Sequence, residues 1–258
     1  MPPVSRPSDN LLLNALPAAE YKRLAPHLER VDLEVRRILF GVDTPIEHVY
    51  FPENAVASIV GVMSDGSAIE VATVGREGVV GVPVFLGAER MSAQCFIQVP
   101  GQGLRMKARE FRRQSQRSQG LHGLMERYTQ ALFTLISQGA ACNRAHTTEE
   151  RCARWLLMTA DRVGHLTFPL TQQFLSQMLG VRRASVSEVA SVLQRQGLLH
   201  YSRGVITLLD REGLEGVTCE CYSLIQREFE RLLGQGLSGA EKKPSARGKK
   251  PRKKPVRP

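Results

Sequence analysis

The segment Leu170–Asp210, LTQQFLSQMLGVRRASVSEVASVLQRQGLLHYSRGVITLLD, carries the strongest structural signal in the chain. Its apolar residues recur at helical spacing in two short runs on either side of Gly180, and β-rich runs then flank Gly204. The first pattern predicts two amphipathic helices, and the second predicts a β-hairpin. Two helices, a tight turn and a hairpin are the parts of a winged helix-turn-helix.

The two helices have recognisable ends. The first is predicted from Thr171 to Leu179, with Thr171 as its N-cap and Gly180 as the left-handed residue that ends it. The second is predicted from about Arg183 to Gln194, and it has one apolar stripe. That stripe comprises Val186, Val189, Ala190 and Leu193.

Polar side chains away from this stripe suit insertion of the second helix into the major groove of double-stranded DNA. Arginine can donate two hydrogen bonds to guanine O6 and N7, and glutamate can accept one from cytosine N4. Small serines let the backbone approach phosphate, and Arg203 at the hairpin tip would face the DNA backbone. A small helical domain with a charged surface is the alternative, because many helical hairpins have glycine at the turn. The predicted DNA-binding residues are Thr171, Gln172, Arg182, Arg183, Ser185, Ser187, Glu188 and Arg203.

These residues resemble the DNA-binding domain of Crp/Fnr-type bacterial transcription regulators. Arg183 stands where that family has a base-reading arginine, and the pair Ser185-Val186 stands where it has Thr-Val. Ala184 and Glu188 depart from the best-known pattern, which often has an acidic residue and a second arginine there. The operator sequence therefore cannot be inferred. The resemblance extends more loosely over residues 10–222.

Short β-rich runs with frequent Gly and Pro turns occupy the N-terminal half and predict a sandwich or jelly roll. Predicted strands include 46–51, 55–63, 68–74 and 92–99. The resemblance identifies this region as a cyclic-nucleotide-binding-like β-roll, a sensor domain. In members that bind cyclic AMP, a glutamate accepts from the ribose hydroxyl and an arginine pairs with the phosphate.

The corresponding positions here have lost both charged partners, because Val82 and Met91 stand there. Arg90 is one residue away, which in a strand turns its side chain to the opposite face. Since unpaired ligand groups cost several kcal/mol, we expect an effector other than cyclic AMP, if one exists. The predicted effector pocket comprises Gly81, Val82, Met91 and Ser92. The apolar run 79–86 could line such a pocket, but a filled roll is the preferred interpretation.

A long helix is predicted from about 121 to 143, and it carries two apolar stripes. One stripe has the alternating steps of three and four that favour pairing with another helix. The alternative for this stripe is packing on the chain's own β-roll, and the second stripe would allow the helix to do both. The family's dimerisation helix lies at this place, so the resemblance implies a homodimer. The predicted dimer interface is Met125, Tyr128, Leu132, Leu135, Gly139 and Cys142.

The net charge of +10 is concentrated in a C-terminal tail. Residues 241–258 contain nine Lys or Arg and one Glu, whereas the other 240 residues have a net charge of only +2. Such a composition predicts disorder. The tail is either a non-specific electrostatic arm on DNA or a solubilising tail. The chain has no membrane-spanning apolar run and no signal-peptide core, so a cytoplasmic location without membrane contact is expected.

Five cysteines, an odd and scattered set, argue against a disulfide framework. None precedes Cys95, so the N-terminal iron–sulfur cluster of some family members is not expected. Cys219 and Cys221 are the one close pair, and on a helix they would point to different faces and make a poor metal clamp. Buried or idle thiols are the preferred interpretation, with no metal and no cofactor. Scattered histidines and the absence of a nucleophile elbow, Walker A loop or HExxH motif make an enzyme less favoured.

We therefore predict an α+β chain with an N-terminal jelly-roll-like β-roll, a long dimerisation helix and a C-terminal winged helix-turn-helix. The expected regions are a flexible N-terminus (1–9), the β-roll sensor domain (10–116), the dimerisation helix (117–146), the winged helix-turn-helix (147–216), a helical extension (217–234) and a disordered basic tail (235–258). The resemblance implies a homodimeric, sequence-specific DNA-binding transcription regulator with RNA polymerase as a partner. The alternatives are a sensory module with a non-functional DNA domain, and a cupin-like metal enzyme.

Overall fold

The computed structural model describes residues 8–234 and Leu237, and it confirms the predicted α+β fold. A two-sheet roll is followed by one long helix and a smaller helical domain with its own sheet. The helices are α1 Leu11–Asn14, α2 Ala18–Leu24, α3 Val82–Phe85, α4 Ala108–Arg117, α5 Gln119–Ala145, α6 Thr148–Val163, α7 Gln172–Leu179, α8 Arg183–Arg195, α9 Arg211–Val217 and α10 Glu220–Leu233. The strands are β1 Glu29–Leu33, β2 Ile38–Phe40, β3 His48–Pro52, β4 Val56–Val62, β5 Ala68–Val74, β6 Ala93–Val99, β7 Gly101–Lys107, β8 Thr167–Pro169, β9 Leu199–Ser202 and β10 Val205–Leu208.

Two antiparallel sheets form the roll, with strand orders β1-β7-β3 and β2-β6-β4-β5. Their inner faces and the segment 79–84 fill a continuous apolar core that also receives α5 and α6. Val79, Val80, Val82 and Val84 are all buried in it. The apolar run 79–86 thus mainly fills the roll, as the preferred interpretation expected, although Leu86 is exposed.

The dimer seam predicted on α5 is not a free surface in the structure. Its members Met125, Tyr128, Leu132, Leu135 and Cys142 are all less than a tenth exposed in the single chain, and Gly139 is half-buried. Four of them belong to the main apolar core, and α5 packs along α10 and against β5. The Tyr128 ring contacts Phe229 of α10 edge-on, with centroids 6.5 Å apart. Heptad spacing identified an apolar stripe correctly, but spacing does not say which partner covers it.

The turn at residues 75–78 joins the roll to the helices through a buried ion pair. Arg162 of α6 donates from Nε to Glu77 Oε1 at 2.8 Å, and their side chains are 0% and 3% exposed. Two glycines make this approach possible. A Cβ at Gly75 would overlap the Arg162 side chain, and one at Gly78 would overlap Tyr128.

A second set of contacts connects the roll to the C-terminal helices. Phe96 of β6 contacts Phe174 of α7 edge-on, with ring centroids 5.9 Å apart. Glu70 of β5 accepts a hydrogen bond from Trp155 Nε1 of α6 at 2.9 Å. The helix-turn-helix is therefore packed against the roll rather than tethered to it.

The sequence patterns did not predict β7 or β8. The helix α10 lies within the predicted extension 217–234, and the extended Thr218 separates it from α9. Within the predicted flexible segment 1–9, Ser8 is buried and its hydroxyl accepts from the Asn10 amide at 2.9 Å. Residues 1–7, and all of the predicted basic tail except Leu237, lie outside the described residues.

Glu77→Gln should destabilise the chain by about 3–5 kcal/mol, because it leaves the Arg162 guanidinium buried without a countercharge. Urea denaturation would measure the free energy of unfolding. The matched control is Glu228→Gln, which removes the solvent-accessible pair with Arg231 on α10 and should cause no measurable change. Equal effects of the two substitutions would contradict the importance of the buried pair.

Candidate nucleic-acid interface

Helix α7 has the predicted ends. Thr171 is its N-cap, and its hydroxyl accepts from the Phe174 amide at 3.1 Å. Gly180 follows with a φ of 62°, a left-handed conformation that glycine adopts without strain. The chain therefore turns sharply from α7 into α8, as a helix-turn-helix requires.

Helix α8 presents an uncovered polar N-terminus. It begins at Arg183, and its N-cap Arg182 makes no side-chain capping bond. Its inner stripe is buried at Val186, Ala190 and Leu193 and packs on α7 and α6. The first amides of a helix lack intrahelical partners and carry the positive end of the helix dipole. This end of α8 is therefore suited to contact with phosphate.

The outer face of α8 combines long and very short side chains. Arg182, Arg183 and Glu188 are exposed. The Ser187 and Ser191 hydroxyls donate to backbone carbonyls four residues earlier, at 3.1 and 2.8 Å. These serines stay close to the helix surface, and Ser185 is also short. The helix axis can therefore approach base edges closely while the arginines extend forward.

Gln172 and Ser187 link the two helices. The Ser187 hydroxyl lies 2.9 Å from Gln172 Oε1, and the Tyr201 hydroxyl accepts from the Gln172 backbone amide at 3.2 Å. Both Gln172 and Ser187 are half-buried, whereas Thr171 beside them is exposed. These contacts bring the predicted residues of α7 and α8 to one surface next to β9.

The wing is a two-residue hairpin. Ser202 pairs with Val205 across the turn Arg203-Gly204, whose φ values are 50° and 78°. Two consecutive positive φ angles define the hairpin turn that matches strand twist. Strand β8 adds a third strand beside β10, and the Leu170 amide donates to the Gly204 carbonyl at 2.8 Å. Arg203 is thus exposed at the tip of a supported wing, next to the start of α7.

The four residues predicted as an effector pocket differ in exposure. Val82 is buried, Met91 is half-buried and Ser92 is exposed. Gly81 has a φ of 117°, and a Cβ there would overlap the Val49 side chain. The backbone is tightly fitted at this point, and the assignment of an effector pocket to these residues stays a prediction.

A cavity of about 160 Å³ lies where β5, α5, α6 and α7 meet. Its walls include Glu70, Arg154, Trp155 and Met178. No sequence pattern signals it, because its lining comes from four segments far apart in the chain. It combines apolar walls with two charged groups at the boundary between the roll and the helix-turn-helix.

Glu70 is the titratable group of this cavity. Burial raises its pKa to about 7, against the opposing effect of hydrogen bonds from Ser58 and Trp155. The Ser58 hydroxyl lies 2.6 Å from Glu70 Oε2. The protonation of Glu70 therefore changes near neutral pH, at a contact between the roll and the helices.

The expectation that Cys219 and Cys221 point to different faces of a helix is wrong. Cys219 is the N-cap of α10, with an extended backbone, and only Cys221 lies within the helix. The ligand atoms of both residues, Cys142 and His146 all lie within 4.8 Å of one another. Cys142 and Cys219 are 77 residues apart in the chain, so their spacing gave no signal of a shared site. They come together because α5 packs along α10.

Comparisons with known proteins agree with this geometry. Residues 150–217 match the family model of the Crp-like helix-turn-helix domain. No curated protein sequence matches the chain significantly.

Within the described residues, no helix is long and apolar enough to cross a membrane.

The chain is also similar to solved structures, over nearly their whole length. FixK2 from Bradyrhizobium japonicum is 18% identical with a TM-score of 0.63, and the match covers 74% of this chain and 98% of that one. TTHB099, a CRP-family transcriptional regulator from Thermus thermophilus, is 17% identical with a TM-score of 0.59, over 82% and 100%. The c-di-GMP responsive global regulator CLP from Xanthomonas campestris is 16% identical with a TM-score of 0.59, over 74% and 99%.

The matched family model describes a helix-turn-helix, which is a DNA-binding motif. The resemblance to Crp/Fnr-type transcription regulators is therefore confirmed for the helix-turn-helix domain by its family model, and the described chain shares the fold of the solved structures named above.

Proposed function

We propose that this regulator binds a roughly palindromic operator as a homodimer, with one α8 helix in each of two successive major grooves. The observation that carries the proposal is the exposed N-terminus of α8, where Arg182 and Arg183 extend beyond a face of short serines. A two-fold dimer places two such helices about one helical turn of DNA apart.

Base reading is assigned to Arg183 and backbone contact to Arg203. Arg183 is the first residue of α8, the end that enters the groove in helix-turn-helix proteins. Arg203 lies at the tip of the wing, where the exposed guanidinium can reach a phosphate. Phosphate contacts position a protein on DNA, whereas base contacts specify the sequence.

Arg183→Ala should weaken operator binding by about 1–3 kcal/mol and relax specificity at one base pair. Arg203→Ala should instead weaken binding to all sequences. It should also reduce the steepness of the plot of log K against log salt concentration by about 1, since one phosphate contact is lost. Fluorescence anisotropy over a salt series, with excess competitor DNA, would measure both. The control is Arg195→Ala at the far end of α8, which should leave affinity unchanged. Unaltered operator affinity of Arg183→Ala would contradict the docking of α8.

The dimer contact is assigned to the outer face of α5. Phe133 is 64% exposed and Ile136 is 37% exposed, although both side chains are large and apolar. Thr129, Ala140 and Asn143 continue the same line in steps of three and four, the spacing of a helix-pairing seam. This line replaces the buried seam that the sequence predicted.

Phe133→Glu and Ile136→Glu should each convert the dimer into monomers, because they place a charge in an apolar contact between two α5 helices. Light scattering coupled to size exclusion would give the molar mass. Val35→Glu is the control, since Val35 is 54% exposed in the turn between β1 and β2. A wild-type monomer, or dimers that survive both α5 substitutions, would contradict this interface.

The proposed regulatory input is an effector other than cyclic AMP. Val82 and Met91 offer no charged partner for a ribose hydroxyl or a cyclic phosphate. CLP, which has this fold, is described as responsive to c-di-GMP. The cavity at Glu70 and Trp155 lies at the boundary through which such an input would reach the helix-turn-helix.

Glu70→Gln should change how stability depends on pH. The folded-state pKa of Glu70, about 7, is above its ordinary value of 4.5, so the folded chain holds this proton more tightly than the unfolded chain. Stability from this group is present below pH 4.5 and is lost as pH rises towards 7. The Tm of wild type relative to Glu70→Gln should therefore fall over that range and then level off. Glu89→Gln, an exposed control, should run parallel to wild type, and a parallel Glu70→Gln curve would contradict the raised pKa.

A further inference from the structure

Four potential metal ligands meet where the end of α5 packs against the start of α10. They are Cys142, His146, Cys219 and Cys221, called here the thiol–imidazole cluster. All three thiols are buried and the imidazole is half-buried. None of the four is among the residues assigned to DNA binding.

Local backbone geometry explains why the four side chains converge. Cys142 lies in the last turn of α5, and His146 is the C-cap whose backbone amide still donates to the Cys142 carbonyl. Cys219 precedes α10 as its extended N-cap, with φ −75° and ψ 164°, and Cys221 lies in the first turn. A residue before a helix and one within its first turn can therefore both face α5.

Two of the ligand separations are close to those of a tetrahedral zinc site, and all four ligand atoms lie within 4.8 Å of one another. Cys142 Sγ lies 3.5 Å from Cys219 Sγ, and Cys221 Sγ lies 3.6 Å from His146 Nδ1. Zinc bonds of about 2.3 Å to sulfur and about 2.0–2.1 Å to nitrogen imply ligand separations of roughly 3.8 Å for two sulfurs and roughly 3.5 Å for sulfur and nitrogen. The side chains therefore need only small adjustments to surround one ion.

Neighbouring polar groups orient the ligands. Glu220 Oε2 lies 3.1 Å from His146 Nε2, which leaves Nδ1 directed at the thiols. Gln138 Nε2 donates to Cys221 Sγ at 3.1 Å. A carboxylate on the far nitrogen of a ligating histidine, and a donor to a ligating sulfur, are the outer contacts that metal sites use.

The other two cysteines provide an internal comparison. Cys95 and Cys152 are buried in the main apolar core among aliphatic side chains, as idle thiols usually are. Cys142, Cys219 and Cys221 instead form a separate buried cluster whose members are all cysteines. Simple core filling accounts for the first two and not for the other three.

We propose that the thiol–imidazole cluster binds one Zn²⁺ ion. Three thiolates and one imidazole complete a tetrahedral shell, and a shell without an open position is that of a structural rather than a catalytic zinc. His146 is the C-cap of α5 and directly precedes Thr147, the N-cap of α6. The ion therefore joins the α5–α6 junction to α10 and stabilises the helical arrangement on which the helix-turn-helix rests.

Metal content of the full chain, purified from zinc-supplemented cells, tests the site. Elemental mass spectrometry should find one zinc per chain in wild type. Cys142→Ala and His146→Ala should lose it during dialysis against a chelator. The matched controls are Cys95→Ala and His122→Ala, the latter an exposed histidine on the same helix, and both should retain it. Circular dichroism would establish that each variant is folded, and His146→Ala serves if Cys142→Ala does not fold.

Cobalt substitution identifies the ligands independently of the zinc content. Co²⁺ added to the apoprotein should give intense thiolate charge-transfer bands and the visible bands of a tetrahedral ion, both weakened in His146→Ala. Absence of bound metal after reconstitution with Zn²⁺, unchanged content in both cluster variants, an iron–sulfur spectrum, or a disulfide between Cys142 and Cys219 would each overturn the proposal.

The regulatory consequence rests on the proposed function and is measured separately. Removal of zinc should weaken operator binding, because the α5–α6 junction loses its metal cross-link to α10. Failure of the zinc-loaded wild type to bind any operator would count against the proposed function alone. Zinc binding with the ligands described would stand even in that case.

Discussion

The buried pair between Arg162 and Glu77 fixes how the roll meets the helices. Charges as fully enclosed as these cost several kcal/mol each to desolvate, and only close pairing offsets that cost. The pair therefore tolerates little displacement of α6 relative to the turn at 75–78. Gly75 and Gly78 permit the approach, because any side chain there would overlap Arg162 or Tyr128. A local turn thus determines the position of the helix from which the DNA-binding domain begins.

The contact between the roll and α6 nearer to the helix-turn-helix includes a carboxyl group that titrates. Trp155 lies on the same helix as Arg162 but pairs with Glu70, whose charge changes near neutral pH. One face of α6 is therefore held by a fully buried ion pair, while another depends on a carboxylate beside a cavity. The contact between the roll and the helix-turn-helix at this cavity is therefore sensitive to pH, whereas the junction at Arg162 is fixed by buried pairing.

Local signals explain which features the sequence could predict. Thr171 and Gly180 delimit α7 through their own backbone and side-chain chemistry. The failures concern long-range packing. The stripe containing Leu132 was identified, but its partner proved to be the chain's own core. The cavity and the thiol–imidazole cluster have no local sequence signal, because segments distant in sequence form them.

The position of His146 connects these observations. It ends the helix assigned to the dimer and precedes the helix that carries Trp155 and Arg162. The buried ion pair restrains α6 near its C-terminus, and a metal in the thiol–imidazole cluster would restrain its N-terminal junction. A helix restrained at both ends keeps its position relative to the roll and to α10. In the proposed dimer, loss of either restraint should therefore alter the spacing of the two α8 helices rather than the fold of each domain.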